Sequence, residues 1–142
     1  MSLLSRKGLL AIAAVVEVAL QTGGRRISAR QLAKRLGLHP RSLEFLLRFL
    51  VGNGSLRSTR GPNGGYELAR ASTQVTLSDV LKAIVIGREE EDEPKSGVLK
   101  KVVVPLLAPA EQSYRQALEQ ITINDMVRYV ESKPDSVGRE AA

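Results

Sequence analysis

The stretch that decides the fold runs from Ile27 to Leu68 and reads ISARQLAKRLGLHPRSLEFLLRFLVGNGSLRSTRGPNGGYEL. Its first part, residues 28–36, has the length and apolar spacing of a short helix, and Gly37 follows as a turn residue. A second helix is predicted over residues 40–51, because proline suits a first helical position. Two strand-like pieces then flank residues 60–65, which have the composition of a hairpin tip. This order predicts a winged helix-turn-helix.

The second of these helices has two contrasting faces. Its buried face is predicted to consist of Leu43, Leu46, Leu47 and Leu50. Its opposite face carries Arg41, Ser42, Glu44, Phe45 and Arg48. Such a face is also found on solvated helices, where Glu44 pairs with Arg41 or Arg48. In a helix-turn-helix it is the face that enters the major groove, where a carboxylate accepts a hydrogen bond from a cytosine amino group.

Charge is divided unevenly along the chain. Residues 1–87 hold 13 Lys and Arg against 4 Asp and Glu, a net charge of +9, whereas residues 88–142 hold 8 against 11, a net charge of −3. The basic part coincides with the predicted winged helix, which favours a polyanionic partner. A glycine-rich loop can also hold a nucleotide phosphate, but no Lys-Ser/Thr and no helix follow this one, so a P-loop is excluded.

Composition excludes several other classes of protein. Apolar residues make up 43% of the chain, enough for a folded core, and cysteine is absent. With a single histidine, His39, the chain lacks the side chains of a nucleophilic catalyst, so we predict no enzyme, no metal and no cofactor. The most apolar run, Leu9–Leu20, carries Glu17 and is too short to span a membrane. No cleavage signal follows it, so a cytoplasmic protein is expected.

The remaining segments are predicted from caps and apolar spacing. Ser5 caps a largely buried first helix, and Thr76 with Asp79 opens a helix that runs to about Ile86. Five consecutive carboxylates over residues 89–93 indicate a solvated loop, although a hard cation is an alternative occupant. Helix returns from Ala108. The predicted division is a winged helix-turn-helix domain (1–87), an acidic loop and linker (88–107), C-terminal helices (108–133) and a disordered tail (134–142). The apolar spacing of the C-terminal helices is compatible with packing against the chain's own core or against a second subunit.

The chain resembles the Rrf2 family of bacterial winged-helix regulators. The resemblance covers about residues 5–86 and is carried by residues 5–8, by Leu43-Glu44, by residues 60–69 (RGPNGGYELA) and by residues 75–80 (VTLSDV). It implies a homodimer that binds a palindromic operator and whose subunits meet through dimerisation helices at residues 108–133. It also implies that Glu44 and its helix neighbours read bases, while Arg60 and the glycine-rich tip enter the minor groove.

The chain departs from the family pattern at three places. Ser42 replaces a common tyrosine, so base preference is expected to differ, and Ser55 replaces a usually apolar residue before the wing. Iron-sulfur members have three cysteines between the wing and the long helix, whereas residues 87–112 contain none. We therefore expect the fold and the DNA site to carry over without the cluster. His39 is interpreted as a helix start or phosphate contact.

The complete expectation is a mainly α fold with a small β-hairpin, a winged helix-turn-helix plus a C-terminal dimerisation helix. The function expected is a homodimeric repressor of transcription with double-stranded DNA as its partner. The predicted DNA-binding residues are Arg6, Ser28, Arg30, His39, Arg41, Ser42, Glu44, Arg48, Arg57, Ser58, Arg60, Gly61, Asn63, Gly64, Gly65 and Tyr66. The predicted dimerisation residues are Tyr114, Leu118, Ile121 and Met126.

Two alternatives remain open from the residues alone. Winged helices also serve as docking domains, so the chain is alternatively a module that binds a protein such as a metabolic enzyme. A small-molecule sensor is the other alternative, with a site near residues 98–107, although no polar constellation there names a ligand. The operator, the regulated genes and the effector are not encoded in any recognisable pattern.

Overall fold

A computed structural model of the chain describes residues 4–21, 24–86, 96–133 and 135. Within these residues it contains six α-helices and one two-stranded sheet, so the predicted mainly α fold with a β-hairpin is confirmed. The elements are α1 (Arg6–Ala19), α2 (Ala29–Leu36), α3 (Pro40–Gly52), β1 (Leu56–Thr59), β2 (Gly65–Leu68), α4 (Leu77–Ile86), α5 (Val104–Glu119) and α6 (Ile123–Ser132).

The helix-turn-helix forms through the signals present in the sequence. Ser28 caps α2 in a reciprocal capping box with Gln31. The helix ends at Gly37, whose φ of 65° lies in the left-handed region that glycine tolerates. His39 caps α3, its Nδ1 accepting a hydrogen bond from the Arg41 N–H at 3.2 Å. All four predicted leucines of α3 are buried, which fixes the helix against the core.

The wing is tied to the start of the helix-turn-helix. β1 and β2 pair antiparallel, with Leu56 opposite Leu68 at the base and Thr59 opposite Gly65 near the tip. Ile27 forms a bridge to Tyr66, donating to its carbonyl at 3.1 Å and accepting from its N–H at 2.8 Å. Gly65 has a φ of 143°, and a Cβ there would lie 2.6 Å from the Ile27 carbonyl oxygen. A glycine is therefore required where the wing meets this bridge.

The C-terminal helix α6 belongs to the same core as the winged helix. Thr76 and Thr122 each cap a helix through a reciprocal box, with Asp79 and Asp125 as acidic partners. These two caps form an antiparallel bridge, and Ile123, at the start of α6, is fully buried. Packing on the chain's own core was one alternative for this region, and α6 adopts it.

The helix after the acidic segment begins earlier than expected. Residues predicted as linker up to 107 are helical from residue 97, through a wide turn at Leu99–Val103 that leads into α5. Valine-rich sequence followed by Pro105 has low helix propensity, which explains the wrong boundary. This continuous helical stretch also contains two prolines, one in the first turn of α5 and Pro109 inside it, and each removes one backbone hydrogen-bond donor. Residues 87–95, which include the acidic run of the predicted loop and linker (88–107), and almost all of the predicted tail lie outside the described residues.

None of the described helices is both long and apolar enough to cross a membrane.

Candidate nucleic-acid interface

The outward side of α3 is a polar surface on a rigidly held helix. It comprises Arg41, Ser42, Glu44, Phe45 and Arg48, all exposed, and is called the recognition face below. The buried leucines lie on the opposite side of the same helix, so packing decides which residues face outward. Among the described residues, Glu44 forms no ion pair, with Arg41 or Arg48 or any other cation. The charges of this face are thus available to an external partner.

The tip of the wing is rich in glycine and lies next to one exposed cation, Arg60. Arg60, Gly61 and Asn63 are exposed, and the Gly64 N–H donates to the Gly61 carbonyl at 2.9 Å. Gly61 has a φ of 111°, and a Cβ on Gly64 would overlap the Thr59 carbonyl oxygen. The tight turn therefore depends on glycine, and Arg60 is exposed beside it.

At the base of the wing, cations are partly neutralised. The Glu67 carboxylate lies 3.4 Å from the Arg57 guanidinium and 3.4 Å from that of Arg26, which precedes α2. Arg57, one of the predicted DNA-binding residues, is therefore already paired, although its side chain stays 62% exposed. Ser58, on the same strand, is exposed. The pairing joins the wing to the segment before α2 and lowers the positive charge there.

The other predicted contacts divide into free and engaged side chains. Arg6 and Arg30 are exposed at the starts of α1 and α2. Ser28 and His39 instead use their side chains as helix caps, and Tyr66 is half-buried at the bridge with Ile27. The two arginines are thus exposed, whereas the side chains of Ser28 and His39 are already hydrogen-bonded to backbone N–H groups.

Two residues of this region were left out of the predicted DNA-binding residues, although the sequence had placed Phe45 on the outward face of α3. Phe45 is absent from the predicted site although it lies in the middle of the recognition face; its position among polar residues of α3 was the available signal. Arg26 is tied to Glu67, 41 positions away, and no sequence pattern indicated that pairing.

The predicted dimerisation residues do not form one exposed patch. Leu118 and Met126 pack against the core of their own chain, Tyr114 is half-buried and Ile121 is partly exposed. Most of the large exposed apolar side chains of the described residues lie before them, over residues 98–107, here called the apolar segment: Val98, Leu99, Val102, Val103, Val104, Leu106 and Leu107.

The sequence comparisons identify the family. The model of the Rrf2 family, described as an iron-dependent transcriptional regulator, matches residues 4–129. A putative helix-turn-helix regulator of Mycobacterium tuberculosis H37Rv is 37% identical over 81 residues, covering 57% of this chain and 50% of the relative. IscR of Cereibacter sphaeroides is 35% identical over 83 residues, covering 57% and 54%. The matches thus span about half the length of these relatives, which are named as regulators and not as enzymes.

The word "iron-dependent" in the family description does not fit the donors of this chain. Its 142 residues include no cysteine, so no thiolate is present to hold an iron-sulfur cluster. In the described parts of the chain, no group of three or more His, Asp or Glu side chains is placed to hold a metal ion. His39 is committed to its helix cap through Nδ1.

Solved structures agree with the fold over most of its length. IscR of T. potens has a TM-score of 0.72 at 28% identity, covering 91% of this chain and 88% of that one. CymR of Bacillus subtilis has a TM-score of 0.71 at 23% identity, covering 91% and 98%, which supports the fold alone. With a family model matched over nearly the whole chain and a winged helix of the same architecture, this chain belongs to the Rrf2 family of transcriptional regulators.

Proposed function

We propose that this chain is a sequence-specific DNA-binding regulator that uses the recognition face and the wing together. The observation that carries the proposal is the unpaired, exposed charge of Arg41, Glu44 and Arg48 on a helix whose other side is locked into the core. A helix of this kind fits the major groove, because its side chains reach base edges while its own position is fixed by packing.

Each charged residue of α3 has a distinct role in this proposal. Arg41, in the first turn, is placed to donate two hydrogen bonds to a guanine. Glu44 costs affinity near phosphates, so its benefit is specificity: it accepts a hydrogen bond from a cytosine amino group. Arg48, one turn further on, contacts phosphate and contributes affinity without sequence preference.

The wing supplies a second contact in the minor groove. Arg60 is exposed beside a glycine-built tip, so the backbone can approach the groove closely. A narrow minor groove has an enhanced negative potential that attracts arginine. Arg6 and Arg30, at two helix starts, add phosphate contacts that orient the domain.

The apolar segment favours a second copy of the chain as a further partner. Residues 98–107 expose seven large aliphatic side chains along one helical stretch, an arrangement that water does not stabilise. A two-fold dimer through these residues presents two recognition faces, and such symmetry matches a palindromic operator. Repression by occupancy of the operator then needs no catalysis.

Selection of bound sequences from a random duplex pool tests the DNA reader directly. We expect an inverted repeat and an affinity that falls steeply with salt, since phosphate contacts release counterions. A protein-docking module would enrich no sequence and would show little salt dependence.

Variants at Glu44 then test the role of the recognition face. Glu44→Ala is expected to relax base preference at one position of each half-site while changing affinity for the best site by less than about tenfold. Glu111→Ala, which removes an exposed carboxylate from α5, is the matched control. Unchanged base preference in Glu44→Ala would contradict the proposed reading.

A further inference from the structure

Phe45 is an aromatic side chain placed in the middle of a charged face. Its ring is 58% exposed, while the leucines of the same helix are buried. Phe49, one turn on and half-buried, holds the ring edge to face, with centroids 5.0 Å apart and an interplanar angle of 75°. The ring is therefore braced on one side and open on the other, which restricts its orientation before any partner arrives.

The neighbours of Phe45 indicate what kind of partner covers it. Arg41 lies one turn before it, Arg48 three residues after it, and both are exposed cations with no ion pair among the described residues. A polyanion suits this flanking charge better than an apolar protein surface does. Among the base edges that a duplex presents in the major groove, the apolar group is the 5-methyl of thymine.

We propose that Phe45 reads the 5-methyl group of a thymine, making it a specificity-determining residue beside the hydrogen-bonding pair Arg41 and Glu44. The inference rests on the proposed function, since it requires α3 to lie in the major groove. Contact between the open face of the ring and the methyl removes apolar surface of both from water. Phe45 thus favours thymine at a base pair other than those that Arg41 and Glu44 contact.

The test exchanges thymine for deoxyuridine, which lacks only the methyl group. A duplex selected with the full-length chain is rebuilt with one such exchange at a time, and affinity is measured for each. We expect one position in each half-site where the exchange weakens binding about fourfold, the effect of losing one buried methyl-sized group. Equal affinity for thymine and deoxyuridine at every position would overturn the inference while leaving sequence-specific binding intact.

Variants separate methyl reading from a general loss of contact. Phe45→Ala is expected to bind thymine and deoxyuridine duplexes equally, whereas Phe45→Leu, which stays apolar, keeps part of the difference. Leu9→Ala removes an exposed apolar side chain from α1 and should retain the full difference. A methyl effect that persists in Phe45→Ala assigns the methyl to another residue and overturns the inference. If no duplex sequence is selected at all, the proposed function fails as well.

Discussion

Two exposed surfaces of this molecule differ in the kind of partner that they can bind. The recognition face carries arginine and glutamate around a single aromatic ring, and water satisfies most of it. The apolar segment, residues 98–107, exposes valine and leucine side chains. It leads into and includes the start of α5, a helix in which no residue is fully buried. Charged surface is stable in solution and binds a polyanion when one is present, whereas a long aliphatic surface is stable only when covered.

The contrast implies that the proposed DNA contact and the proposed dimer contact respond differently to salt. Charge-based contacts with phosphate weaken as salt rises, because counterions compete for both partners. Burial of aliphatic side chains depends little on salt in the physiological range. We therefore expect a dimer that persists at salt concentrations that weaken DNA binding.

The largest effect is expected from a charge placed in the apolar segment. Leu106 is 74% exposed, so Leu106→Glu leaves the folded chain intact, yet it buries a carboxylate if a second copy covers this surface. An unpaired buried charge costs several kcal/mol, so the dissociation constant of the dimer should rise at least about a hundredfold. Analytical ultracentrifugation measures the change. Gln116→Glu adds the same charge to an exposed position of α5 and is the control; identical dissociation constants in both variants would refute the interface.

Removal of the wing cation is expected to have the next largest effect. Arg60→Ala deletes the exposed guanidinium beside the glycine tip and should weaken binding of the selected duplex by about tenfold or more. The slope of log affinity against log salt concentration should also become less steep, by about the amount that one phosphate contact contributes. Gel shifts over a salt series provide both values. Arg115→Ala, which removes an exposed arginine of α5, should bind like the parent chain. Equal losses in the two variants would mean that only net charge matters.

A smaller effect concerns the joint between α3 and the wing. Ser55 is fully buried, and its hydroxyl has no hydrogen-bond partner among the described residues. Its backbone is satisfied: its N–H donates to Leu50 and Asn53 oxygens, and its carbonyl accepts from Ala69. Ser55→Ala removes the unpaired hydroxyl and should raise the free energy of unfolding by about 1 kcal/mol in urea titrations.

Ser58→Ala is the control for that stabilisation. Ser58 is exposed on β1, so its replacement should change the free energy of unfolding by less than about 0.5 kcal/mol. Ser55→Ala should leave base preference unchanged, because Ser55 is fully buried. If Ser55→Ala instead lowers the free energy of unfolding, the Ser55 hydroxyl has a hydrogen-bond partner and the prediction is wrong.

The smallest effect is expected in acid, at the cap of α4. Burial alone would raise the pKa of Asp79, but hydrogen bonds from Thr76 and the charges of Arg70 and Lys82 outweigh it and lower the pKa below 3.8. A carboxyl whose pKa is lower in the folded state stabilises the fold fully above the unfolded value. That stabilisation is lost as pH falls through the folded value. Melting temperature should thus decline less steeply below about pH 4 in Asp79→Asn than in the parent.

Asp125 is the matched comparison for this prediction. Its pKa is also lowered, chiefly by the hydrogen bonds from the Thr122 backbone and hydroxyl, but the residue is exposed. Asp125→Asn should therefore change the acid response less than Asp79→Asn does, since solvent screens its interactions. A larger change in Asp125→Asn would reverse this ranking of the two caps.

Local sequence determined most of the individual elements. Caps such as Ser28 with Gln31, the turn at Gly37 and the leucine stripe of α3 act between residues a few positions apart, so spacing alone predicts them. The wing was equally predictable, because its tip needs glycine at particular places. The absence of cysteine likewise excludes a thiolate-held cluster from these 142 residues, because no arrangement of the chain can supply the missing sulfur ligands.

Contacts between distant residues were decided only by the tertiary structure. The bridge between the caps at Thr76 and Thr122 places α6 on the core, and Glu67 meets Arg26 across 41 positions. The early start of the helix at residue 97 and the open side of the Phe45 ring also depend on which surfaces remain uncovered. Spacing in a sequence encodes interactions along one helix or strand, whereas burial and pairing depend on how those elements pack in three dimensions.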